Sequence, residues 1–165
     1  MREELVDHLY VTYPDLFTDQ FRRYGITVGD GWYGLIEALC EQFVADKRMH
    51  EWKIRHEASN MVNQGIPLDL VTDAMKPLHD EYERICMAVP TFLQIKEKFG
   101  ELCIYIETID DKYRSMVQLV EDLSSGMCEE CGNVGTLGGD FWIKTLCDHH
   151  RKERDEHEAK TSKRS

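Results

Sequence analysis

Apolar residues recur at three- and four-residue intervals through most of the first ninety positions, then switch to alternation between about 91 and 108. The first period predicts amphipathic helices and the second predicts strands. Residues 3–11 predict a short helix with Leu5, Val6, Leu9 and Tyr10 on one side, stopped near Pro14. Tyr13, Leu16, Phe17, Phe21 and Tyr24 follow in quick succession and are expected to pack inside, since only Arg22 and Arg23 flank them and no basic stripe suits stacking on bases. The strongest helix signal comes next. Asp30 is its expected N-cap, and Trp32, Leu35, Ile36, Leu39, Cys40, Phe43 and Val44 form its apolar stripe. Helix is expected to continue to about Gln64, with Gly65 as the stop. Residues 66–90 predict two helical pieces, broken or bent at Pro77, with Leu70, Val71, Met75, Leu78, Tyr82, Ile85 and Cys86 facing inward.

The segment TFLQIKEKFGELCIYIET predicts a β-hairpin turning at KFGE. Leu93, Ile95, Leu102, Ile104 and Ile106 are its apolar positions, and Gly100 can supply a positive φ. Thr108 and Asp111 then predict a capping box for a helix with Tyr113, Met116, Val117, Val120 and Leu123 in its stripe, ended by residues 124–126. The expected fold class is α+β. An acidic, mainly helical lobe over residues 1–126 carries the hairpin at about 91–108, and a small zinc-ribbon or treble-clef-like module with a C-terminal helix occupies 127–165. The short connection between the two predicts that they pack together.

Charge changes the picture by its distribution. The 165 residues carry a formal net charge of −11, of which residues 1–127 hold −10 and the remainder −1. Such a lobe repels phosphate backbones. The polar beginning, MREELVDHLY, is unlike a signal peptide, and no apolar run reaches membrane-spanning length, so a cytoplasmic location is expected. In that compartment thiols stay reduced, so Cys40, Cys86 and Cys103 are expected to be buried as small hydrophobes.

The chemistry concentrates in MCEECGNVGTLGGDFWIKTLCDHHR. Cys128 with Cys131 and Cys147 with His150 make two close pairs separated by 15 residues. Zn²⁺ prefers four tetrahedral thiolate and imidazole donors, and two short chelate loops plus one longer connection supply them with little strain. Gly132 follows the first pair, where a knuckle turns its amides toward the sulfurs. If the last segment is helical, Cys147 and His150 share its first turn and His149 points elsewhere, so His150 is the fourth ligand and His149 the alternative. One structural zinc ion is the expected cofactor. Four protein ligands close the shell, whereas catalytic zinc keeps a position open.

Other chemistry is thinner. His79, Asp80 and Glu81 imitate half of a nucleobase-deaminase pattern, but Met127 stands where that pattern wants proline. A zinc-dependent nuclease would draw on His149, His150 and His157, without an asparagine placed to support them. No catalytic residue is therefore assigned. A nucleic-acid-binding zinc module would use Lys144, Arg151, Lys152, Arg154, Lys160, Lys163 and Arg164, whose field is cut by Glu153, Asp155, Glu156 and Glu158. The acidic helical surface suits protein binding better, with Trp52, Asp80, Glu81 and Glu83 as candidate contact residues.

The blocks YPDLF, GDGWYGLIEALC, QIKEKFGELCIYIE and CEECGNVGTLGGDFWIKTLCDHH together resemble a family of small zinc-binding proteins encoded by bacteriophages and prophages, mostly of unknown function. The resemblance covers about residues 13–44 and 92–150. Where its members read KFGGLR, this chain has Glu101 and Cys103, so a role resting on that arginine does not carry over. Residues 45–91 look like an enlargement. The resemblance implies phage origin and zinc. On that footing the chain is expected to be a non-enzymatic protein that binds a host protein, such as a defence nuclease or a transcription component.

Overall fold

The computed structural model describes residues 1–108, 110–139 and 142–162. It has the expected α+β architecture. Helix α1 (Glu3–Thr12) leads through a 3-10 turn at Pro14–Leu16 into α2 (Asp19–Tyr24) and the two-residue strand β1 (Ile26–Thr27). A second 3-10 turn at Asp30–Trp32 opens α3 (Tyr33–Asn63), and α4 (Leu68–Ala88) folds back along it. Strands β2 (Thr91–Lys98) and β3 (Glu101–Glu107) form the hairpin, and α5 (Asp111–Ser124) lies beside β3. The chain ends in β4 (Thr136–Gly138), β5 (Lys144–Leu146) and α6 (Asp148–Ser162).

The core is aromatic and centres on Phe92. Its ring lies 5.0 Å from that of Phe17, 5.5 Å from Phe43 and 6.2 Å from Phe21, and Tyr113 meets Phe43 edge-on at 5.2 Å. The register shift between Phe92 and Gln94 turns Phe92 inward, opposite Ile106, on the same face as Ile95, which pairs with Ile104. The predicted helix stripe is also inside: Trp32, Ile36, Leu39, Cys40, Phe43 and Val44 are all buried. Burying such side chains contributes roughly 1.5–3 kcal/mol each, which is why this face dominates the placement of α3.

Several expectations are corrected. Pro77 neither breaks α4 nor restarts it; the helix is continuous over 21 residues. Val71 and Met75 before the proline and Leu78, Tyr82 and Ile85 after it keep one inward stripe, so packing on α3 outweighs a local cost of about 3 kcal/mol. The Tyr82 hydroxyl donating to Glu51 at 2.6 Å and the His50–Glu81 pair at 3.2 Å tie the second half to α3. Leu70, assigned to that stripe, is exposed near the start of α4, as is Leu123 in α5, where buried Ser124 takes the inward position. Leu93 is exposed because the ladder shifts register between Phe92 and Gln94. Cys86 and Cys103 are only half-buried, and Tyr24, expected inside, is exposed at the end of α2.

The caps are also reassigned. Asp30 does not cap α3; its carboxylate accepts the Arg2 amide at 2.7 Å and pairs with the Arg2 guanidinium at the start of α1. Asp110 rather than Thr108 caps α5, accepting from the Lys112 amide at 2.8 Å, while Thr108 Oγ1 accepts from the Asp110 amide. Helix α2 and strand β1 are not expected from the pattern of the chain. Strand β1 is too short to show a period, and it exists because Ile26 and Thr27 pair parallel with Ile95 and Lys96.

Candidate metal centre

The centre begins as a backbone turn. The Gly132 amide donates to the Cys128 carbonyl at 2.9 Å, and the Cys128 amide donates to the Asn133 carbonyl at 2.8 Å. Gly132 takes φ +77°, the left-handed conformation that lets the loop after Cys131 double back. Strands β4 and β5 then bring the chain round antiparallel, with Thr136 opposite Leu146. Cys147 precedes α6 and His150 sits in its first turn, where the Arg151 amide donates to the Cys147 carbonyl. The second ligand pair therefore comes from a helix start rather than a second knuckle, which is the treble-clef-like alternative of the two expected.

Side-chain geometry fits one tetrahedral ion. The donor atoms of Cys128, Cys131, Cys147 and His150 all lie within 4.8 Å of one another. Cys131 Sγ is 3.8 Å from Cys147 Sγ, and His150 Nδ1 is 3.4 Å from Cys128 Sγ and 3.3 Å from Cys147 Sγ. Zinc–sulfur bonds near 2.3 Å and zinc–nitrogen bonds near 2.05 Å make tetrahedron edges of about 3.8 and 3.6 Å. A disulfide, by contrast, needs about 2.05 Å between sulfurs. The set could hold one metal ion, with His150 rather than His149 as its nitrogen donor. His149 is exposed and turns its Nε2 toward Glu153 at 3.5 Å.

His149, His150 and Glu153 form a second, mostly exposed group of donors. Because His150 already belongs to the first set, Glu153 reads best as the carboxylate behind a ligating imidazole: it lies 4.0 Å from His150 Nε2, on the side away from the sulfurs. The thiols differ in readiness. The His150 amide donating to Cys147 holds that thiol below its usual range, as expected at a helix start. At Cys131 the Asn133 amide pulls the same way, but burial and the neighbouring Cys128 and Cys147 sulfurs outweigh it and leave the thiol raised.

The knuckle is built into the core through residues that ligand spacing does not reveal. Trp32, wholly buried, donates its indole N–H to the Met127 carbonyl at 2.8 Å, and the Gly31 amide donates to the Glu129 carbonyl at 2.8 Å. A Cβ at Gly29 would overlap the Glu129 carbonyl, and one at Gly31 would overlap the Cys128 carbonyl. On the other side, Thr145 donates its hydroxyl to the Gly100 carbonyl of the hairpin turn at 2.7 Å, and the Glu129 amide donates to the Thr145 carbonyl at 3.0 Å. The GDGW block is thus the seat of the metal loop. The signal available in sequence was a pair of glycines two apart immediately before a tryptophan, a spacing that suits close backbone approach.

Glu129 is set apart by its burial rather than by any sequence spacing. It is 3% exposed, and one carboxylate oxygen pairs with the Lys144 ammonium, while Oε2 has no hydrogen-bond partner among the described residues. Burial raises its pKa, and Lys144 opposes the shift. The cations proposed for nucleic acid are largely engaged internally. Lys144 serves Glu129 and Glu130, Arg151 donates to the Thr136 and Leu146 carbonyls, and Arg154 donates to the Trp142 carbonyl and pairs with Asp155. Lys152 and Lys160 are exposed; Lys163 and Arg164 lie outside the described residues.

The candidate partner residues are not brought into one cluster by any described contact. Trp52 is exposed on α3 and stacks on His56 at 4.9 Å, while Glu81 faces His50 and Asp80 and Glu83 are exposed on α4. The metal cluster contains neither His79 nor Glu81, and His157 is not among its donors. No described helix is long and apolar enough to cross a membrane. Comparison of the chain with protein-family models, with curated proteins and with solved structures returns no match.

Proposed function

We propose that the chain is a phage-type, non-enzymatic binding protein in which one zinc ion acts as a staple and a host protein is the partner. The observation that carries this reading is the complete Cys3His shell seated on the GDGW turn. Four protein donors leave no coordination position for substrate, and the loop that bears two of them is hydrogen-bonded into the core. A metal so placed orders surface; it does not perform chemistry. The surface it orders belongs to a chain of net −11, which suits a basic face on a defence or nucleic-acid-processing protein.

The test has two arms. Purified protein should contain close to one equivalent of zinc, and a tagged copy expressed in bacterial host cells should enrich one defined protein that rebinds when both are purified. A duplex-DNA mobility shift in the micromolar range that weakens steeply with salt would overturn the protein-partner reading. Zinc-dependent cleavage of DNA, lost in Cys131→Ser, would overturn the non-enzymatic one.

A further inference from the structure

Between the hairpin, the β1 segment and the metal module lies an open cavity of about 410 Å³. Carboxylates dominate its wall: Glu97, Glu129 and Glu130, against the ammonium of Lys144. The amino group of Met1 also reaches the wall, where it donates to the Val28 carbonyl. Buried Glu129 gives one oxygen to Lys144, and its Oε2 is left without a hydrogen-bond partner among the described residues. Glu97 gives Oε1 to the Gly100 amide at 2.6 Å, which leaves its second oxygen for a ligand. At the cavity's edge stands Trp142, 64% exposed, an apolar surface that this fold does not use for packing.

These features select a ligand class. Among the described residues the three carboxylates do not come close enough together to form a metal-binding group, so a compact divalent ion is a poor fit. An anion meets a wall with more carboxylates than cations. A planar cation with several spread donors fits both the separated carboxylate oxygens and the indole face, and guanidinium is more weakly hydrated than ammonium and stacks on aromatic rings. From the excess of carboxylates over cations in the wall of this open cavity and the exposed indole at its edge, we infer that the cavity receives an arginine side chain presented by a partner protein. The inference rests on the protein-partner reading above and deepens it, since it moves the contact from Trp52 and α4 to the seam between the hairpin and the metal module.

The experiment is a titration of the zinc-loaded full chain, labelled with ¹⁵N, with N-acetyl-arginine methylamide. Its citrulline counterpart, equal in shape and without charge, is the control. Saturable shifts at the Gly29 amide and the Trp142 indole N–H are expected, with a dissociation constant on the order of millimolar for a single side chain. The citrulline compound should leave both signals in place. Trp142→Ala and Glu130→Gln should each weaken binding by roughly five- to tenfold while zinc content stays at one equivalent, which separates a lost contact from a lost fold. No saturable shift up to about 50 mM, an equal response to citrulline, or binding indifferent to both substitutions would overturn the assignment. A failed titration beside a reconstituted host complex would sink the arginine pocket alone, whereas failure of the complex would sink the reading beneath it.

Discussion

Individual side chains carry most of the testable content of this molecule. Gly31 is the sharpest case, because its amide donates to Glu129 and a Cβ there would collide with the Cys128 carbonyl. Gly31→Ala is expected to lower stability by about 3 kcal/mol or more and to weaken zinc retention, read by denaturant melts and by competition with a chelator. Phe99 is the opposite case: it holds φ +55° beside Gly100 at +79° in the two-residue hairpin turn, and its ring is mostly exposed. Phe99→Asn should stabilise by about 0.5–1 kcal/mol, since asparagine tolerates the left-handed region and no buried contact is lost. Asp30 supplies a pH dependence. Burial raises its pKa, but the bonds from the Arg2 amide and guanidinium outweigh burial and hold it below the usual carboxylate range. A depressed folded-state value stabilises above the unfolded pKa and is lost as pH falls through the folded one. The cost of Asp30→Asn should therefore be present at pH 7, of order 1 kcal/mol or less for this partly exposed pair, and should fade in acid melts once pH has fallen below the usual carboxylate range.

At the scale of elements, period alone was a good guide where a single face is buried. The α3 stripe, the hairpin alternation and the α5 stripe from Tyr113 to Val120 were legible because packing on one side imposes the spacing. The ligand pairs were legible for a similar reason: coordination demands short chelate loops. What could not be read were features owed to distant partners. The carboxylate of Asp30 looks like a cap for the helix that follows, yet its bonds go to Arg2, twenty-eight residues away. Pro77 looks like a break, yet α4 runs through it because residues on both sides pack on α3. That override predicts a gain on removal. Pro77 is exposed, so Pro77→Ala should restore a helix hydrogen bond and raise stability by about 1–3 kcal/mol, with helical circular dichroism unchanged or increased. A loss of stability would mean that the proline is fixing a bend the α3–α4 packing requires.

Taken whole, the molecule couples its candidate metal centre to its core by backbone contact rather than by a linker, and this coupling sets what metal removal should do. Cys131→Ser, or chelation of the wild type, is expected to lower the melting temperature by on the order of 10 °C and to expose Trp32, whose indole is bonded to Met127, so that its fluorescence shifts to longer wavelength. A melt unmoved by either treatment would remove the staple from the account. The sequence by itself determined the α+β class, the core positions Tyr13, Phe17, Phe21, Phe43 and Tyr113, the hairpin and the four candidate metal donors, because each follows from a local period or a chelate spacing that neighbouring residues impose; Phe92 at the centre of the core was not among them. Only the tertiary structure decided that GDGW is the seat of the knuckle, that Lys144, Arg151 and Arg154 are engaged by internal acceptors, and that Glu129 keeps one oxygen without a protein partner at the wall of a cavity. The seat of the knuckle depends on pairs such as Gly31 with Glu129 and Trp32 with Met127, nearly a hundred residues apart. Contact at that separation leaves no periodic trace in the chain, because it is set by how whole elements pack.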